Sequence, residues 1–225
     1  MGKKSNNEDK LKELNNYLKQ NKHKTKPDYY VKDTLEGDEE KAEMLFILES
    51  PHKEEVKTNI PLVGNSGSDI SAFLYGNEET QPFGKKISTF SSKKIGIMNV
   101  SNIPLQVLKE TDQNTNYNTS NNIYQELKEL RNLENTNDTL FNFFCEKIIK
   151  YRNVKTFVIC GKFSEVYFDK YILEEKEHSI IKKQYQGEIE ILKVPHPSYG
   201  HWQFIDKHKD NLERLKEIFS EFNEK

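Results

Sequence analysis

Cysteine is scarce in this 225-residue chain: Cys145 and Cys160 lie in separate apolar segments, without CxxC spacing. Two thiols cannot by themselves hold an iron-sulfur cluster or a structural zinc, so both read as buried thiols and no metal site is expected. Long apolar runs are also missing. No stretch approaches the roughly 20 residues needed to span a bilayer, and the start has no secretory leader, so the expectation is a cytoplasmic protein without membrane spans. Nor does charge of one sign dominate: 34 Lys and Arg stand against 36 Asp and Glu, for a formal net charge of -2. That excludes a global positive field, and any contact with nucleic acid must rest on local groups of Lys and Arg. No GxxxxGK[ST] loop occurs, which argues against a P-loop nucleoside triphosphatase.

The chain does hold 13 Phe and 11 Tyr within a composition that is 34% hydrophobic and 31% charged. Large rings supply apolar area that a polar composition otherwise lacks, so one domain with an aromatic-rich core is expected. Residues 1–38 are rich in Lys, Asn, Glu and Asp, with Leu11, Leu14 and Leu18 at helical spacing. They read as a helical N-terminal extension to a domain at 39–225, with their lysines chiefly on a solvated face. Within the domain, short apolar runs at 44–48, 95–100, 156–160 and 189–194 alternate with helical patterns at 69–75, 138–152, 163–173 and 207–222. Such alternation predicts a three-layer α/β/α fold around a four-stranded parallel sheet. The Asn- and Thr-rich stretch 111–137, with a short charged helix at 123–133, reads as a surface excursion.

Ligands of open parallel sheets bind beyond the carboxyl ends of the strands, so the residues just after each run carry the functional signal. The first run leads into Glu49-Ser50-Pro51-His52, then Gly64-Asn65-Ser66-Gly67-Ser68-Asp69 before a helix. Backbone N–H groups of that turn, with Ser68 or Asp69 as cap, can receive a phosphate or carbonyl oxygen, or can form a plain capped turn. The second run ends at Asn99, whose amide can read a pyrimidine edge or tie off a loop. The third ends Cys160-Gly161-Lys162, which adds a cation. The fourth leads into Pro195-His196-Pro197-Ser198, where two prolines restrict the backbone around one imidazole. Glu49, Asn99, Lys162 and His196 are thus expected to share one crevice.

These segments resemble the uracil-DNA glycosylase superfamily over about residues 46–199. Leu48-Glu49-Ser50-Pro51-His52 stands for the GEAPG motif of its thermophile-type branch, and Pro61-Leu62-Val63-Gly64-Asn65-Ser66-Gly67 for PFVG-x-[AS]-G. Met98-Asn99-Val100 stands for the strand ending Asn-Val-Val, and His196-Pro197-Ser198-Tyr199 for the His-Pro-Ser motif. The resemblance implies a DNA glycosylase that flips a uracil or modified pyrimidine from single- or double-stranded DNA and cleaves its N-glycosidic bond. It implies catalytic roles for Glu49, at the water or sugar cation, and His196, at the base carbonyl. Ser50, His52, Leu62 and Asn99 would line the base pocket. Gly64, Ser66, Ser68, Lys162, Ser198, Tyr199 and Trp202 would meet the DNA, with Tyr199 or Trp202 as the wedge that fills the vacated stack.

Departures from the branch point to a changed substrate. Leu62 replaces the stacking Phe, so Phe83, Tyr75 or His52 would have to supply that wall, and His52 replaces a Gly. The cluster-binding cysteines and the Arg after His-Pro-Ser-Tyr are missing. A monomer without a cofactor is expected, acting in repair or in defence against phage with modified bases. The competing expectation is a non-catalytic module of the same fold that binds nucleic acid or a nucleotide.

Overall fold

The computed structural model describes residues 29–89, 94–105, 130–134, 136–178, 189–199, 202 and 208–223. The leucine stripe at 11–18 and most of the 111–137 excursion, including 123–129 of the helix expected at 123–133, lie outside the described residues. Four five-residue strands, Met44–Leu48 (β1), Ile95–Asn99 (β2), Thr156–Cys160 (β3) and Glu190–Val194 (β4), form one parallel sheet in the order β2-β1-β3-β4. Register pairs Leu48 with Asn99 and Cys160 with Val194, which brings all four carboxyl ends to one edge. Every residue of β1, β2 and β3 is buried, because both faces are covered and neither side can be polar.

Six α-helices are described: Lys53–Thr58 (α1), Asn65–Tyr75 (α2), Phe83–Thr89 (α3), Asp138–Ile148 (α4), Lys162–His178 (α5) and Lys209–Asn223 (α6). On one face of the sheet Leu45, Ile47, Met98, Phe157 and Ile159 pack with Leu140, Phe141 and Phe144 of α4 and Phe163, Tyr167 and Phe168 of α5. On the other, Phe46, Leu48, Ile97, Val158 and Val194 pack with Ile70 of α2, Phe83 of α3 and Leu215 and Phe219 of α6. The predicted three-layer α/β/α architecture is what this chain forms. No helix among the described residues is long and apolar enough to cross a membrane.

Three details depart from expectation. α2 begins at Asn65 with Gly64 as its N-cap, so Ser68 lies in the first turn rather than at the cap; the Gly64 carbonyl accepts from Gly67 and Ser68 N–H at 2.9 and 3.1 Å. α1 and α3, of six and seven residues, carry too few apolar positions to show a period. The extension also ends earlier than residue 38. Tyr29 and Val31 are buried, and 31–34 run along the outer edge of β2. There Val31 N–H meets the Asn102 carbonyl at 2.8 Å, Thr34 N–H the Ile97 carbonyl at 2.9 Å, and Asn99 N–H the Asp33 carboxylate at 3.0 Å.

The Pro61-Leu62 turn is pinned between two helices by glycines. A Cβ on Gly67 would lie 1.8 Å from the Leu62 carbonyl oxygen, and one on Gly84 would lie 1.7 Å from that of Pro61. Only glycine lets α2 and α3 approach the turn this closely. Buried Glu55 completes the clamp: its carboxylate accepts the N–H groups of His52 and Leu62, and burial raises its pKa despite them.

Candidate functional site

The chain runs from β1 outward to β2 and then returns to lay β3 on the other side of β1. Loops after β1 and β3 therefore diverge at the carboxyl edge, the place where open parallel sheets bind their ligands. Glu49 leaves β1 at this switch point, and Gly161 leaves β3 beside it. Gly161 has φ +87°, and a Cβ there would lie 2.8 Å from the Cβ of His196. The glycine is what allows the His196 backbone to rest against the end of β3. Gly161→Ala is expected to cost about 1–3 kcal/mol in stability through the left-handed backbone. It should also move the His196 titration followed by NMR; an unchanged titration would show that this contact does not set the ring's surroundings.

His196 is held by its own turn. Ser198 N–H donates to Nδ1 at 3.2 Å, and Ser198 Oγ lies 2.7 Å from the same nitrogen. A backbone N–H can only donate, so Nδ1 is the acceptor and the neutral ring carries its proton on Nε2. Burial holds the His196 pKa below the ordinary 6.5; Glu49 pulls the other way, and His52 and Arg131 add to the depression. The unfolded chain therefore takes this proton more readily than the fold does. Its contribution to stability is complete above pH 6.5 and is lost as pH falls toward the folded value.

Glu49 is only 13% exposed at its side chain, and its Oε1 accepts from Arg131 Nε at 2.8 Å. Asn99 is 2% exposed, and its Nδ2 has no hydrogen-bond partner among the described residues. Its backbone, by contrast, is held from both sides. Asp33 takes the N–H, and the carbonyl accepts from the ammonium of Lys147. Lys147 also donates to Asp33 at 3.0 Å and to Asn102 Oδ1 at 2.6 Å, which fills all three of its donors. Burial lowers its pKa, against the opposing pull of Asp33. The Asn99 backbone is thus fixed by a buried ion pair, while its side-chain amide nitrogen is a buried donor left unsatisfied among the described residues.

The remaining predicted residues divide. His52 is exposed and within electrostatic reach of His196. Ser198 serves His196 directly. Gly64 caps α2, Ser66 and Ser68 sit in its first turn, and α2 packs on the turn Pro197–Tyr199. Of Tyr199 only the backbone is described. Ser50 is buried, and its hydroxyl takes the Leu105 N–H at 3.4 Å. Lys162 stands exposed at the start of α5, beside Gly161, and pairs with Glu165 one turn along its own helix at 3.1 Å. Three expectations need correction. Leu62 is 1% exposed in the core, with φ +56° directing it inward, so it forms no open pocket wall. Trp202 is also 1% exposed; its ring meets Phe73 edge-on at 5.5 Å and its N–H holds the Pro195 carbonyl at 3.1 Å. It buttresses the His-Pro-Ser turn from behind and cannot act as a surface wedge. Phe83, packed edge-on against Phe46 at 4.9 Å, and Tyr75, edge-on to Phe219 at 5.1 Å, belong to the core, which leaves His52 as the candidate wall.

Sequence reasoning missed Arg131, Asp33 and Lys147. For Lys147 a signal was present, since it falls three and four residues after Phe144 and Phe143 on the apolar side of α4. Among the described residues no three His, Cys, Asp or Glu side chains converge as a metal site. No protein-family model matches this chain, and no curated protein does.

Proposed function

We propose that this chain is a DNA glycosylase that excises a uracil or modified pyrimidine and leaves an abasic site, in repair or in defence against phage with modified bases. The observation that carries this is His196: its Nδ1 is taken by Ser198, its Nε2 carries a proton, and the Glu49 carboxylate lies within electrostatic reach. In the reaction the C1′–N bond breaks and its electron pair leaves with the base. The His196 Nε2–H donates to the base carbonyl as that charge grows, and the Glu49 carboxylate stabilises the positive sugar. Water adds through oxygen to C1′, one of its protons passes to Glu49, and the departing base takes up a proton from solvent. The unpartnered Asn99 amide donor supports a role in reading the edge of the flipped base.

One observation favours a second reading. The Glu49 carboxylate is engaged by Arg131, as it would be in a module that only binds nucleic acid or a nucleotide. Duplex and single-stranded oligonucleotides carrying uracil, hydroxymethylcytosine or glucosylated hydroxymethylcytosine distinguish the two. Release of free base, with alkali-labile strands, is expected on at least one of them. Tight binding with no release on every base would overturn the enzyme reading in favour of the binding module.

A further inference from the structure

We propose that Arg131 is the phosphate anchor of this site, holding a phosphodiester of the nucleic acid through the free end of its guanidinium while its Nε holds Glu49. The inference rests on the glycosylase reading for the identity of its ligand. Of the charged groups that act on His196, namely Glu49, His52 and Arg131, only Arg131 is a permanent cation. Its side chain is 41% exposed, and only Nε has a partner among the described residues. The two terminal nitrogens therefore remain for a planar, bidentate acceptor such as a phosphate. Need points the same way. A net charge of -2 gives no global attraction for a polyanion, and Lys162 is engaged by Glu165.

Anchoring has a second effect. Burial is the main cause that keeps the His196 ring neutral and bonded to Ser198, and Arg131 adds to it in part against the pull of Glu49. Protonating Nδ1 would set two donors face to face and loosen the turn.

Arg131→Gln and Arg131→Lys, both at an exposed position, test this by binding to an oligonucleotide carrying a tetrahydrofuran abasic analogue, measured from 50 to 200 mM salt. For Arg131→Gln the slope of log K against log salt is expected to fall by about one, the loss of one phosphate contact. Arg131→Lys should keep the slope and recover part of the affinity. Where wild type releases base, the acid limb of its single-turnover rate should move toward neutral pH in Arg131→Gln. An unchanged slope with wild-type affinity in Arg131→Gln would overturn the anchor. A reduced slope in Arg131→Gln, together with a wild type that releases no base, would keep the anchor and overturn the glycosylase reading.

Discussion

Replacing His196 with alanine is expected to slow base release from the preferred oligonucleotide about a hundredfold, with little change in its binding. The ring's work is done as charge moves onto the departing base, so its loss should appear in kcat rather than KM. A single preorganised donor at such a position contributes about 10²–10³ in rate. Glu49→Gln keeps the shape and removes the charge, and a loss of at least about tenfold is expected there. Single-turnover release of labelled base measures both. Wild-type activity should persist to below pH 6.5, because burial keeps His196 neutral under conditions that protonate an exposed histidine. Unchanged rates in both variants would reject the roles given to Glu49 and His196.

The largest stability effect is expected at Lys147, whose ammonium is buried against Asp33. Lys147→Met would fill much of the volume but leave the Asp33 carboxylate buried without its cation. Breaking a buried pair from one side costs about 3–5 kcal/mol, a large part of the roughly 5–15 kcal/mol that holds a domain together. In a chain of this size that corresponds to a fall of roughly 10 °C in Tm. The double variant Asp33→Asn with Lys147→Met should lose less than the sum of the single changes, by about 1–3 kcal/mol, since the charge left behind is gone as well. Thermal melts of the three variants decide, and strict additivity would show that the two groups stabilise the fold independently.

The sheet was legible in the sequence because each strand is a short apolar run buried on both faces, as in Met44–Leu48 and Thr156–Cys160. Glu49, Asn99 and His196 were legible for the same reason: each ends or follows such a run, and parallel order sends all of them to one edge. Lys162 meets the same criterion and stands exposed at the start of α5, where its ammonium pairs with Glu165. Trp202 and Leu62 show a limit. Residue type names a ring or an aliphatic group, but which side of a turn it faces depends on φ angles and on neighbours such as Phe73. Arg131 lies 82 residues from Glu49, and Lys147 lies 114 from Asp33; pairings of that range leave no local period or motif to read.

The strap formed by residues 31–34 has a consequence for handling the molecule. Cutting the chain at residue 39, where composition alone would place the boundary, would strip Val31, Asp33 and Thr34 from β2. The Ile97 carbonyl and the Asn99 N–H would then stand open along an apolar strand, a template on which a second molecule could add its own strand. The same cut would strand Lys147 without Asp33. A shortened protein that clumps or loses activity would therefore report a missing strap rather than a missing DNA-binding arm, and a shortening that begins before Tyr29 would leave the strap in place.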